Sequence, residues 1–173
     1  MPTKKKAETI TPGAIRLTRV LAASHIETEA AYHATLDLLR YYGVKLSRAG
    51  AKIRVTLSKK LDNARELEEL AINQAGQLRG AYAESSETLY YLQQVAKKKL
   101  KSASFQDKSY SVTPAEAAAI LKVASEPIRK IRSRADDLAA VAQKFFSLHP
   151  KLTPPRKAKA KTKTKTKKKA KKR

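Results

Sequence analysis

Between Val44 and Ser102, apolar residues recur at helical spacing: Leu46, Ala49, Ile53, Leu57, Ala64, Leu67, Ala71, Ala75, Leu78, Tyr82, Leu89, Leu92, Ala96 and Leu100. Nearly every step is three, four or seven residues, which puts these side chains on one stripe of an α-helix. No proline interrupts the run. Unbroken, such a helix would span roughly 85 Å at 1.5 Å per residue. Gly76 and Gly80 fall near its middle, and each costs about 1 kcal/mol against alanine. The stripe keeps its register across both glycines, so the pattern predicts a continuous helix and not a fold-back.

Shorter amphipathic segments flank this one. Thr11-Pro12 offers a capping hydroxyl followed by proline at the first helical position. The helix it opens is expected to reach Tyr42, with Leu17, Val20, Leu21, Ser24, Thr28, Ala31, Thr35, Leu38, Leu39 and Tyr42 on its buried face. The hydroxyl residues keep that face from being a dry leucine seam. Ser24-His-Ile-Glu27 reads as a second capping box, where the helix has a place to break. Gly43 is a helix stop. Ser102 to Val112 is polar and reads as a loop.

Thr113-Pro-Ala-Glu116 is the strongest local signal, joining a capping threonine, a proline and a glutamate three residues on. Its helix carries Ala117, Ile120, Leu121 and Ala124, then kinks or restarts at Pro127. It continues through Ile128, Ile131, Ala135, Leu138, Val141, Ala142 and Phe145 to His149-Pro150. With no alternating run in the body, the expected fold class is all-α. The architecture would be an elongated antiparallel three- or four-helix bundle around one long central helix, with coiled-coil character. Three regions follow: a disordered basic N-terminus (1–10), the bundle (11–150) and a disordered Lys-rich tail (151–173) entered through Thr153-Pro-Pro-Arg156.

Charge changes the picture from architecture to partners. The 173 residues hold 38 Lys+Arg against 15 Asp+Glu, a net charge of +23. Residues 156–173 account for 12 of those cations and contain no acid. The cations are Arg156, Lys157, Lys159, Lys161, Lys163, Lys165, Lys167, Lys168, Lys169, Lys171, Lys172 and Arg173. Lysines so dense repel one another, and nothing apolar offsets the entropy of ordering, so the tail is expected to be disordered. It would hold DNA or RNA phosphates by releasing condensed counterions. It has no aromatic to stack on bases and no fixed donor array to read them, so it should be blind to sequence. The competing reading is a solubilising tail or, in Lys167 to Arg173, a nuclear import signal.

The Lys/Ala/Thr composition of 156–173 resembles the tails of linker histones and of bacterial histone-like proteins. It is also similar to the basic tails of some phasins, helical coat proteins of polyester storage granules that pair an amphipathic body with a DNA-binding tail. The likeness is compositional and covers about a tenth of the chain. It implies sequence-nonspecific nucleic-acid binding. Its phasin side implies an alternative, an amphipathic coat or adaptor on an anionic surface or granule.

Lys122, Arg129, Lys130, Arg132 and Arg134 form a second basic cluster. On a helix, Lys122 and Arg129 lie opposite the apolar face with Arg132 beside them, where phosphates could reach. Asp136 and Asp137 follow at once, so an ordinary solvated face competes with this reading. Lys97, Lys98, Lys99 and Lys101 close the long helix and are explained by its dipole.

His25, Glu29, His33 and Asp37 recur at four-residue steps. Their chemistry suits zinc or iron. The stripe is expected to face solvent, however, and four successive turns of one straight helix cannot surround one ion. No metal or cofactor is therefore expected. Nor does the sequence hold a nucleophile elbow or a glycine-rich phosphate loop, so no enzymatic role and no small-molecule substrate are expected. Tyr90-Tyr91 points away from the long stripe and is a candidate second contact surface, whereas Tyr42 belongs to the core face. The chain has no cysteine and no apolar run near the ~20 residues of a membrane span. It is expected to be soluble and intracellular, at the nucleoid in a bacterium or in the nucleus of a eukaryote. A homo-oligomer is expected, since several tails on one assembly would share a polymer.

Overall fold

The computed structural model describes residues 10–50, 52–57, 61 and 63–147. Three long helices, α1 (Pro12–Tyr41), α2 (Ala64–Ala96) and α3 (Pro114–Phe146), carry most of them. Two antiparallel hairpins join the helices. The strands β1 (Lys45–Ala49) and β2 (Lys52–Thr56) link α1 to α2, and β3 (Ser102–Phe105) and β4 (Lys108–Ser111) link α2 to α3. The protein is thus mostly helical but not all-α. Expectations for residues 1–9, for the ending at His149-Pro150 and for 151–173 lie outside the described residues.

The hairpins correct two expectations. Residues 45–56 are not the start of the long helix. Leu46 pairs with Val55 and Arg48 with Ile53, and Leu46, Ile53 and Val55 pack against the helices. Gly50, at φ +63°, turns the chain between the strands. Residues 102–111 are not a loop. Ala103 pairs with Tyr110 and Phe105 with Lys108, and Ala103 and Phe105 are fully buried. Ser102, Ser104, Ser109 and Ser111 alternate with them along the two strands.

α1 and α3 run side by side in the same direction, which one constant offset reveals. Thr11 meets Glu116, Glu29 meets Arg134 and Tyr32 meets Asp137, each pair 105 residues apart. α2 returns between them, its first half packed on the second half of α3. Two apolar clusters result. One joins Leu36, Leu39, Leu67, Leu78, Leu138 and Phe145 under the first hairpin. The other joins Leu17, Leu21, Leu92, Val95, Phe105 and Ile120 under the second. Each leucine buried this fully contributes about 1.5–3 kcal/mol. Between the clusters the helices meet through smaller or polar groups, with Ser85 and Thr88 buried. There the Thr88 hydroxyl donates to the Ser104 carbonyl at 2.8 Å, tying α2 to β3.

The capping signals at Thr11 and Thr113 act as the sequence suggests. Thr113 and Glu116 form a full capping box on α3, and Thr11 caps α1 by accepting from the Ala14 amide. Glu116 also accepts from the backbone and hydroxyl of Thr11, so one carboxylate serves both helix starts. Such an anion between two positive dipole ends is favourable. Gly43, at φ +88°, ends α1: its amide donates to the Arg40 carbonyl and the Val44 amide to the Leu39 carbonyl. α2 passes Gly76 and Gly80 without a break, as the stripe predicts. α3 passes Pro127 without restarting, and α1 does not break at Ser24.

Leu17, Leu21, Thr35 and Leu39 are buried on α1 as expected, but its buried face is wider and ends differently. Tyr32 and Leu36 are inside, because Asp137 and the first hairpin lie over them. Leu38 and Tyr42 are each 42% exposed, so Tyr42 is not a core residue.

Candidate nucleic-acid interface

The tail cations Arg156 to Arg173 lie outside the described residues, so the structure bears only on the cluster in α3. There it sorts the five side chains. Lys122 and Arg129 are exposed, with no ion pair among the described residues. Lys130 is exposed and sits 3.2 Å from Glu126. Arg132 is exposed, its guanidinium 5.8 Å from the centre of the Tyr82 ring.

Arg134 does not belong to the surface. Its Nε and Nη2 donate to the two carboxylate oxygens of Glu29 at 3.0 and 3.3 Å, and its guanidinium lies 4.6 Å from the centre of the Tyr32 ring. This two-pronged pair fixes the charge inside the molecule. It also corrects the expectation that the His25–Asp37 stripe faces solvent. Glu29 is turned to α3, and His25 is half-buried with its Nδ1 lacking a partner. His33 Nε2 lies 3.4 Å from Glu29, while Asp37 pairs with Arg40 at 2.8 Å. Burial opposes ionisation of Glu29, but the Arg134 hydrogen bond and the charges of Arg134, His25 and His33 prevail and lower its pKa.

A second internal network pins the first hairpin. The Tyr32 hydroxyl donates to Asp137 Oδ2 at 2.7 Å, and Arg48 Nη2 of β1 donates to the same oxygen at 3.1 Å. Arg48 Nη2 also lies 3.3 Å from the Tyr32 hydroxyl. Asp137 is only 5% exposed and Tyr32 only 1%. Burial, then the bond to Asp137, raises the pKa of Tyr32. Among the described residues, no group of three or more His, Asp or Glu side chains is arranged to hold a metal.

Two basic surfaces were missed in the sequence. The first is the outer side of the hairpin β1–β2. Residues 38–61 contain seven cations and no acid. The strand alternation turns Leu46, Ile53 and Val55 inward and leaves Lys45, Lys52 and Arg54 exposed. None of these three makes an ion pair among the described residues. The second is an open groove of about 700 Å³ between α1 and β4, lined by Gly13, Arg16, Arg19, Val20 and residues 108–111. Its cations come from segments about ninety residues apart in sequence.

No described helix is long and apolar enough to cross a membrane. Comparison with family models, with curated proteins and with solved structures finds no match to this chain.

Proposed function

We propose that this protein is a non-enzymatic, sequence-nonspecific nucleic-acid-binding scaffold. Its Lys-rich tail holds phosphates, and its folded part acts as an elongated antiparallel three-helix bundle that spaces and presents them. The observation that carries the reading is the acid-free run of 12 cations in residues 156–173. Support from the folded part comes from exposed cations without carboxylate partners among the described residues, among them Lys122, Arg129 and Arg132 on α3, and Lys45, Lys52 and Arg54 on the first hairpin. Self-association would let several tails share one polymer and raise affinity through effective concentration. The activity belongs at the nucleoid of a bacterium or in the nucleus of a eukaryote.

The test is binding of the full chain and of residues 1–155 to duplex DNA, RNA and anionic vesicles across a salt series. If ~8–10 tail charges engage duplex DNA, log affinity should fall against log salt with a slope of about −7 to −9. Truncation should flatten that slope severely while circular dichroism stays unchanged. Equal binding by the shortened chain would refute the reading, as would a preference for vesicles over nucleic acid.

A further inference from the structure

We infer that the groove between α1 and β4 is a binding site for the backbone of single-stranded nucleic acid. This rests on the reading of the protein as a nucleic-acid binder, and it adds a structured site to the tail. Arg16 and Arg19 stand one turn apart on α1, and Lys108 faces them from β4. All three are exposed and none has a carboxylate partner among the described residues. No acid lines the groove. Glu116, at the starts of α1 and α3, is outside this lining and accepts from Thr11 and Thr113.

The other walls fit the same ligand. Ser109 and Ser111 are exposed and bring hydroxyls to the lining, while Val20 and the half-buried Tyr110 give it an apolar side and one aromatic ring. Cations along a track with an aromatic beside it are what a single strand needs: charge for its phosphates and a π-face for a base. A volume of about 700 Å³ is that of a small-ligand cleft. It takes a few nucleotides of one strand, and the bulk of a duplex stays outside. The groove exists because α1 lies tight against β4. A Cβ on Gly13 would fall 2.0 Å from the Ser111 carbonyl oxygen, so only glycine permits this approach.

The experiment uses the full chain and fluorescence anisotropy with a labelled oligothymidine and a duplex of equal length, over a salt series. Three proteins are compared: wild type, Arg16→Glu/Arg19→Glu/Lys108→Glu, and Lys122→Glu/Arg129→Glu/Arg132→Glu, which changes charge equally on α3. Losing three phosphate contacts on a single strand should reduce the salt slope by about 2. The groove variant should therefore lose at least tenfold in affinity for the single strand and much less for the duplex. The α3 variant should weaken both alike. Circular dichroism checks folding, and Arg16→Gln/Arg19→Gln repeats the test should the reversals unfold the protein. The inference falls if the groove and α3 variants behave alike while wild type binds. Wild type binding neither oligonucleotide would instead sink the parent reading, and this site with it.

Discussion

Replacing Arg48 by methionine should loosen the first hairpin while leaving nucleic-acid binding intact. Arg48 is the polar link from β1 to the helices, through Asp137 and the Tyr32 hydroxyl. Its removal leaves a carboxylate that is 5% exposed with the Tyr32 hydroxyl at 2.7 Å as its remaining partner in this network. Breaking a fully buried pair costs about 3–5 kcal/mol. The Arg48 side chain is 49% exposed, so water screens the pair and the cost drops to about 2 kcal/mol. For a chain of this size that lowers the melting temperature by about 4–8 °C. Urea unfolding followed by far-UV circular dichroism measures it, and hydrogen exchange should quicken at the amides of β1 and β2. Adding Asp137→Leu should restore part of the loss, because the stranded charge is then gone. The salt slope on duplex DNA should stay within one of wild type, since the Arg48 charge is already met by Asp137. A stability change under 0.5 kcal/mol, or no recovery in the double variant, would refute the reasoning.

Glycine substitutions should split in sign. Gly13→Ala places a methyl 2.0 Å from a backbone oxygen of Ser111. It should destabilise by about 2–3 kcal/mol, as overpacking does. Gly76→Ala and Gly80→Ala meet nothing within 4 Å on a helical stretch. Each should raise the urea midpoint by the equivalent of about 0.5–1 kcal/mol. Acid should weaken the fold through two carboxylates. Burial opposes ionisation of both Glu29 and Glu116. Hydrogen bonds from Arg134 to the first, and from Thr11 and Thr113 to the second, overcome it, so both pKa values lie below 4.5. Their stabilisation is therefore complete above that value and is lost as pH falls through the lowered ones. Thermal melts from pH 6 to pH 3 should show wild type losing stability below pH 4.5. Glu29→Gln/Glu116→Gln should start lower at pH 6 and change less.

The ends of α1 and the start of α3 were legible because their signals are local: Thr11-Pro12, Gly43 and Thr113-Pro-Ala-Glu116 each cap an end that the structure retains. The stripe gave the body of α2, but its start falls at Ala64, about twenty residues after the one the stripe suggests. The hairpins were not legible, for two physical reasons. Leu46, Ala49, Ile53 and Leu57 step by three and four, which a helix stripe satisfies. Val55, inward in the strand but off that stripe, and Gly50 held the contrary signal. In the second hairpin Ala103, Phe105 and Tyr110 alternate with serines, but the turn Gln106-Asp107 adopts two positive φ angles without the glycine that usually marks such a turn. The groove was illegible because no local pattern says that β4 will lie along α1. Gly13 in a first helical turn was its one trace.

Charge shows most plainly where sequence stops and fold begins. Arg132 and Arg134 look alike in a list of cations, yet the second has Glu29 on a parallel helix 105 residues away and the first does not. Counterion release depends on cations that a phosphate can neutralise. A cation already neutralised by a carboxylate has little left to give. The folded part should therefore contribute through unpaired cations such as Arg16, Arg19, Lys45, Lys52, Arg54, Lys108, Lys122, Arg129 and Arg132, and not through Arg48 or Arg134. Net charge overstates its grip, and charge without a partner measures it. A set of single neutralisations read as salt slopes would separate the two groups. Equal slopes for Arg134→Met and Arg54→Met would show that pairing inside the fold has no bearing on binding.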